Sequence, residues 1–160
     1  MKGRILFTLF LVGCGADANV AGNYSIALTN GDNGCNLANF VPGNTTTNVA
    51  VTTVQDGSKV TMTVEPLAGG LALIGLLGAG KNVFTGSVDG DDVSVESIGT
   101  KPNTSGNCTY TFNAKINGTL DGDVLRGRIE YRAADNGNSD CSQVHGCLTY
   151  QDYNGTRPPQ

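Results

Sequence analysis

Residues 109–133 decide what this chain can fold into. Tyr110, Phe112, Ala114, Ile116, Gly118 and Leu120 alternate with Thr109, Thr111, Asn113, Lys115, Asn117 and Thr119. After Asp121-Gly122-Asp123 the alternation resumes. Leu125, Gly127, Ile129, Tyr131 and Ala133 take one parity, and Arg126, Arg128, Glu130 and Arg132 take the other. Successive side chains of a strand point to opposite faces, so a period of two held this long describes sheet with one dry and one wet face. A helix would instead gather its apolar residues at every third or fourth position.

The same pattern recurs along the chain. Tyr24, Ile26 and Leu28 alternate with smaller or polar residues, and Asn30-Gly31-Asp32-Asn33-Gly34 marks a turn or loop. Val49, Val51 and Thr53 lead through Asp56-Gly57 to Val60, Met62 and Val64. Phe84, Gly86 and Val88 lead through Asp89-Gly90-Asp91-Asp92 to Val93 and Val95. Asp-Gly permits the positive φ that tight hairpins require. A last short strand is expected over residues 148–153. About eight strands joined mostly by short turns make an antiparallel up-and-down meander. Closure, complete or nearly so, into a barrel removes its edges best, with a two-sheet sandwich as the alternative. Residues 22–157 are expected to form this single all-β domain.

Gly22-Asn23-Tyr24 on the first strand and Arg157 near the end carry a resemblance. The arrangement is similar to the lipocalin-like barrels, which begin with Gly-x-Trp and pack a late arginine over that ring. The resemblance implies that Tyr24 and Arg157 take those parts, although the ring here is tyrosine. The plainer alternative is a turn glycine, a core tyrosine and a solvated tail.

The amino terminus reads as a processing segment. Lys2 and Arg4 precede the apolar run of residues 5–12, which is far shorter than the roughly 20 residues a membrane-spanning helix needs. A cationic start and a short apolar run describe a secretory signal peptide over residues 1–13. Leu11-Val12-Gly13-Cys14 resembles the lipobox of bacterial lipoproteins, in which the chain is cut before the cysteine and the sulfur is acylated. That resemblance implies lipidation (palmitate or a similar acyl group) at Cys14 and a membrane anchor in the cell envelope. An ordinary signal peptide with a structural cysteine is the alternative. Gly15 rather than aspartate follows the cysteine, which by the sorting rule of enteric bacteria implies the outer membrane, facing periplasm or cell surface. Small and polar residues then suggest a lipidated tether over residues 14–21.

Ten basic residues less Lys2 and Arg4 leave eight against fourteen acidic ones, a formal charge of −6 for the processed chain. No basic cluster offers a footprint for nucleic acid. The four cysteines after Cys14 are Cys35, Cys108, Cys141 and Cys147, an even number that in an exported chain implies two disulfides. Three pairings are open. Spacing favours a local Cys141–Cys147 clip, with Cys35–Cys108 as the long-range link. A metal set of Cys141, His145 and Cys147 is the competing use, but His145 is the single histidine of the chain.

Residues 66–80 break the strand pattern. Leu67, Leu71, Leu73, Ile74, Leu76 and Leu77 are interspersed with five glycines. Leu67, Leu71 and Ile74 share helical spacing, so a short apolar helix or coil is expected to plug or lid one barrel end. A gate over a cavity, a contact patch for lipid or a partner, and a core-filling connection are its possible roles.

Catalytic chemistry finds little footing. His145 lies near Asp140 and Ser142, but in a loop that the cysteines constrain. Asp56, Asp89, Asp91, Asp92, Asp121 and Asp123 are explained by turn chemistry. Glu65, Glu96 and Glu130 stand alone. Residues 135–140 carry oxygens at calcium-like spacing without the distant glutamate of a complete loop, and read as a polar turn. The sequons at Asn103 and Asn117 read as surface strand composition. No cofactor, metal or enzymatic activity is expected. Two roles then compete. One is a binding module holding a small apolar ligand inside the barrel, lined by Tyr24, Phe84, Tyr110, Phe112 and Tyr131. The other is a structural or interaction lipoprotein with a packed interior.

Overall fold

The computed structural model describes residues 17–65 and 71–159. Cys14 and residues 66–70 lie outside them. The described residues form nine strands and one short α-helix: β1 Gly22–Asn33, β2 Thr45–Asp56, β3 Lys59–Val64, α1 Leu71–Leu77, β4 Val83–Asp89, β5 Asp92–Ser97, β6 Asn103–Ser105, β7 Cys108–Asp121, β8 Val124–Asp135 and β9 Leu148–Thr156. Every pairing is antiparallel.

Eight of these strands close into a barrel. Sequential neighbours pair, β5 pairs with β7, and β1 closes the ring on β9 through Ser25↔Thr156 to Asn33↔Thr149. The ring rules out the sandwich. The additional strand is β6, which stands outside the ring and pairs with the first residues of β7, Asn103 opposite Tyr110. The alternation reads the interior correctly. Ile26, Val49, Met62, Phe84, Val95, Ile116 and Ile129 are buried inward residues of successive ring strands. Outside, Arg126 pairs with Asp121 at 2.5 Å and Arg128 with Asp152 at 2.8 Å.

The two ends of the barrel differ. At one end, β2–β3, β4–β5 and β7–β8 are joined by two-residue turns, and each turn begins with glycine after aspartate. Gly57, Gly90 and Gly122 have φ of 60°, 58° and 62°. A glycine with positive φ at the first turn position is the type II′ pattern, whose twist matches the flanking strands. The chain's own residues 17–21 pack across this closed end, and Val20 is fully buried there. The expectation of a tether over residues 14–21 therefore needs amending, because residues 17–21 belong to the barrel. Arg157 lies over the Tyr24 ring, with its guanidinium carbon 5.7 Å from the ring centroid, within reach of a cation–π contact. It also pairs with Asp123 at 3.0 Å.

At the other end, the mouth, the connections are long. Both disulfides sit there, joining Cys35 to Cys147 and Cys108 to Cys141. This overturns the pairing that local spacing favours. Cys35 follows β1 and Cys147 precedes β9, and closure of the ring brings those two strand ends together. Cys141 lies in a 3₁₀ helix, Ser139–Gln143, that meets the start of β7, where Cys108 stands.

Candidate functional site: a cavity at the barrel mouth

A cavity of about 720 Å³ opens at the mouth and runs into the barrel as far as Leu125 and Tyr153. Its walls are mostly apolar. Ile26, Leu28, Val49, Met62 and Val64 line one side, and Phe112, Ile116, Leu125 and Ile129 line another. The interior beside Gly118 is filled. Gly118 faces the Tyr153 hydroxyl so closely that a Cβ at that position would overlap it. That hydroxyl also donates to the Asn117 carbonyl at 3.4 Å. The glycine on β7 thus accommodates the tyrosine of β9, which forms part of the cavity wall.

Three of the five aromatic residues expected to line a cavity do so: Tyr110, Phe112 and Tyr131. Tyr110 and Phe112 stack edge to face at 5.5 Å, a favoured arrangement of aromatic quadrupoles. The expectation fails for Tyr24 and Phe84, which lie outside the cavity wall. Tyr24 sits at the closed end, where its hydroxyl donates to the Val20 carbonyl at 3.0 Å. Burial raises its ionisation range, and the Arg157 charge partly offsets that. Phe84 is fully buried, and its interior space is core. All five point inward, as their parity requires; Tyr24 misses the cavity by its height along the barrel axis, whereas Phe84 stands opposite the cavity-lining Met62 and is packed into the core beside it.

A polar relay that the sequence reading missed crosses three neighbouring strands of the cavity wall. The Tyr131 hydroxyl on β8 donates to Gln151 Oε1 on β9 at 2.7 Å. Gln151 Nε2 donates to Asn30 Oδ1 on β1 at 2.7 Å, and Asn30 Nδ2 donates to the Val41 carbonyl at 3.0 Å. Burial pushes the Tyr131 hydroxyl well above the ordinary tyrosine range, so it stays a neutral donor. The missed signal was a glutamine in inward register with Thr149 and Tyr153, since a polar side chain at a core position wants a reason.

Two segments shape the mouth. Residues 34–44 are folded around Asn33, whose Nδ2 donates to the Leu37 and Phe40 carbonyls at 2.9 and 3.1 Å. Its Oδ1 accepts from the Leu37 N–H at 2.7 Å. Leu37 and Phe40 are thereby placed in the cavity wall. The second segment is α1. Leu73 and Leu77 are buried, while Leu73, Gly75 and Leu76 face the cavity. Of the segment 66–80, in which a short apolar helix or coil is expected at one barrel end, residues 71–77 form a short helix beside the mouth. Three donors from residues 100–101 hold its C-terminal carbonyls. Thr100 and Lys101 N–H groups donate to the Leu77 carbonyl at 2.6 and 3.0 Å, and Lys101 Nζ donates to the Gly75 carbonyl at 2.6 Å. These satisfy carbonyls that have no partner within so short a helix. Among the described residues, Lys101 is the one wall residue charged at neutral pH.

The chemical candidates of residues 135–147 resolve into loop structure. His145 Nδ1 pairs with Asp135 at 3.0 Å, not with Asp140, and its side chain is largely exposed. The Gly137 N–H and then His145 hold the Asp135 carboxyl below its usual range. Asp140 Oδ2 accepts from the Asn107 N–H at 2.8 Å, and Asn138 caps the 3₁₀ helix through the Asp140 N–H. The oxygens at calcium-like spacing are engaged as turn and cap acceptors. Cys141 and Cys147 belong to different disulfides, which removes both thiols from the metal set weighed with His145. No group of three metal-binding side chains is present among the described residues. No helix among them is long and apolar enough to cross a membrane. No protein-family model, no curated protein and no solved structure matches this chain.

Proposed function

We propose that the chain is a membrane-anchored extracytoplasmic lipoprotein whose barrel binds a small apolar molecule in the mouth-side cavity, without catalysing a reaction on it. The observation that carries the binding role is the cavity of about 720 Å³. Small-molecule sites fall in the range of about 300–1,000 Å³, with apolar walls and a few placed polar groups. The Tyr131–Gln151–Asn30 relay supplies those groups. Gln151 Nε2 has a second hydrogen, and the Tyr131 oxygen has lone pairs left over after its own donation. A ligand with an apolar body and one hydroxyl, carbonyl or amide suits this wall. Lys101 favours a neutral or anionic molecule over a cation. Among the described residues the wall has no carboxylate or imidazole to act as a general acid or base.

The anchoring half of the proposal rests on Leu11-Val12-Gly13-Cys14 behind Lys2 and Arg4. Acyl chains on Cys14 would hold the barrel at a membrane, and Gly15 favours the outer membrane by the sorting rule of enteric bacteria.

Native mass spectrometry of the purified chain, followed by titration with anilinonaphthalene sulfonate, tests the binding role. The probe is apolar with one anionic group. Saturable binding of one probe per chain, or a co-purifying molecule, is expected. A chain that carries nothing and shows no saturable probe binding is instead a structural or interaction lipoprotein. Intact mass of membrane-extracted protein tests the anchor, and a Cys14→Ala variant that still partitions into membranes refutes it.

A further inference from the structure

We infer that the closed end of the barrel faces the bilayer and that the cavity mouth opens away from it. The inference rests on acylation of Cys14 as proposed above, and its argument lies in how residues 17–21 are fastened. Asp17 Oδ1 accepts from the Gly90 N–H at 3.1 Å, and the Ala18 N–H donates to the Gly90 carbonyl at 2.8 Å. Gln55 clasps the next stretch. Its Nε2 donates to the Ala18 carbonyl at 3.1 Å, and its Oε1 accepts from the Val20 N–H at 2.7 Å. Arg157 Nη1 donates to the Asn19 and Ala21 carbonyls at 2.7 and 2.6 Å. These partners come from the end of β2, the β4–β5 turn and the residue following β9. The segment is therefore held from several sides of the closed end, with Val20 as its buried centre.

Only Gly15 and Ala16 separate Asp17 from Cys14. Three Cα steps span at most about 11 Å. The barrel is taller than this leash. A 12-residue strand such as β1 or β2 rises about 40 Å along its own direction, or roughly 30 Å along a barrel axis at the usual tilt. Turning the mouth to the membrane would lift the closed end about 30 Å from it, beyond the reach of the acylated cysteine. The orientation holds even though the mouth exposes apolar surface. Val41 and Ile98 are 53% and 52% exposed, and on hydrophobicity alone that end would be the one to meet lipid. The closed end carries Asp56, Asp89, Asp91, Asp121 and Asp123 in or beside its turns against Lys59, Arg126 and Arg157, an acidic excess that gives it no attraction of its own for anionic headgroups. The leash sets the orientation. A ligand then exchanges with the aqueous side and not with the hydrocarbon beneath.

The chain contains no tryptophan, so single-tryptophan reporters are free of background. Ser58→Trp marks a closed-end turn, and Val41→Trp marks the mouth; both positions are exposed. Each full-length acylated variant is reconstituted into phosphatidylcholine vesicles doped with doxyl-labelled phosphatidylcholine. Several-fold stronger quenching of Ser58→Trp than of Val41→Trp is expected, with aqueous iodide showing the reverse order. Equal quenching, or stronger quenching at Val41→Trp, overturns the orientation. Flotation and intact mass of the same samples separate the two failures. Protein that carries no acyl mass and does not float defeats the anchor itself, and the orientation with it. Acylated, floating protein with the wrong quenching order defeats the orientation alone.

Discussion

Val49 and Val88 test whether the cavity is usable space. Both are inward-facing valines on ring strands, 1% and 2% exposed, so burial alone predicts the same response to enlargement. Their surroundings differ. Val49 lines the mouth-side cavity, whereas Val88 lies opposite Val93 near the closed end and outside the cavity wall. Val88→Phe must push benzyl carbons into a packed interior, which costs about 1–3 kcal/mol. Val49→Phe projects the same carbons into open volume. Burying roughly 40 Å² of additional apolar surface there contributes about 1 kcal/mol in favour of folding. The two variants should therefore differ by about 2–4 kcal/mol. Urea denaturation with a slope of about 1–3 kcal/mol per molar makes this a separation of roughly 0.7–4 M in midpoint. Val49→Phe should also weaken anilinonaphthalene sulfonate binding at least several-fold, while folded Val88→Phe retains it. Equal destabilisation by both substitutions would refute the reasoning, because it would show that the space beside Val49 is not available to a side chain or to a ligand.

Other features of the barrel give separate expectations. Thr53 Oγ1 is the one buried side-chain polar atom among the described residues that lacks a hydrogen-bond partner. Thr53→Val should therefore raise stability by about 1 kcal/mol in urea denaturation, and a loss would show that the hydroxyl is satisfied in solution. Burial raises the ionisation of Tyr131 and Tyr153 far above the unfolded value of about 10, so folding keeps protons that the unfolded chain loses. Their contribution is full below pH about 10 and is lost as pH rises from there toward the folded-state values. Phenolate absorbance should show these two ionising only with alkaline unfolding, and titration of all five tyrosines in an intact fold would contradict this. Non-reducing peptide mapping should recover Cys35–Cys147 and Cys108–Cys141, and a Cys141–Cys147 peptide would refute the ring-closing arrangement. Sequence separations of 112 and 33 residues correspond in the chain-entropy account to about 5 and 4 kcal/mol, so the Cys35→Ala/Cys147→Ala pair should be the more destabilised in urea.

The parts of this molecule that are legible in the sequence are those governed by local periodicity. Side-chain alternation assigns Tyr110, Phe112 and Tyr131 to the interior, and it assigns Tyr24 there equally well. What it leaves open is height along the barrel axis. Height decides whether an inward ring meets the packed closed end, as Tyr24 does, or the cavity, as Tyr131 does. Asp-Gly pairs carry enough local information to place three tight turns, and with them the closed end, because a glycine at positive φ is needed whatever surrounds it. The mouth is built by residues 34–44, α1 and residues 98–107, whose positions depend on contacts between distant segments. The disulfides show where a further step from the same pattern was available. A meander that closes must pair its first strand with its last, antiparallel, and so must set the end of β1 beside the start of β9. Cys35 lies just beyond the one and Cys147 just before the other. Ring closure and a long-range Cys35–Cys147 link are therefore one geometric statement. Nearness in sequence favours Cys141–Cys147 only when each loop is considered without the barrel that holds it. Gln151 follows the same logic: its inward parity was readable from Thr149 and Tyr153, but its role as the middle of a relay required Asn30 and Tyr131 on the two strands that flank β9 in the closed ring.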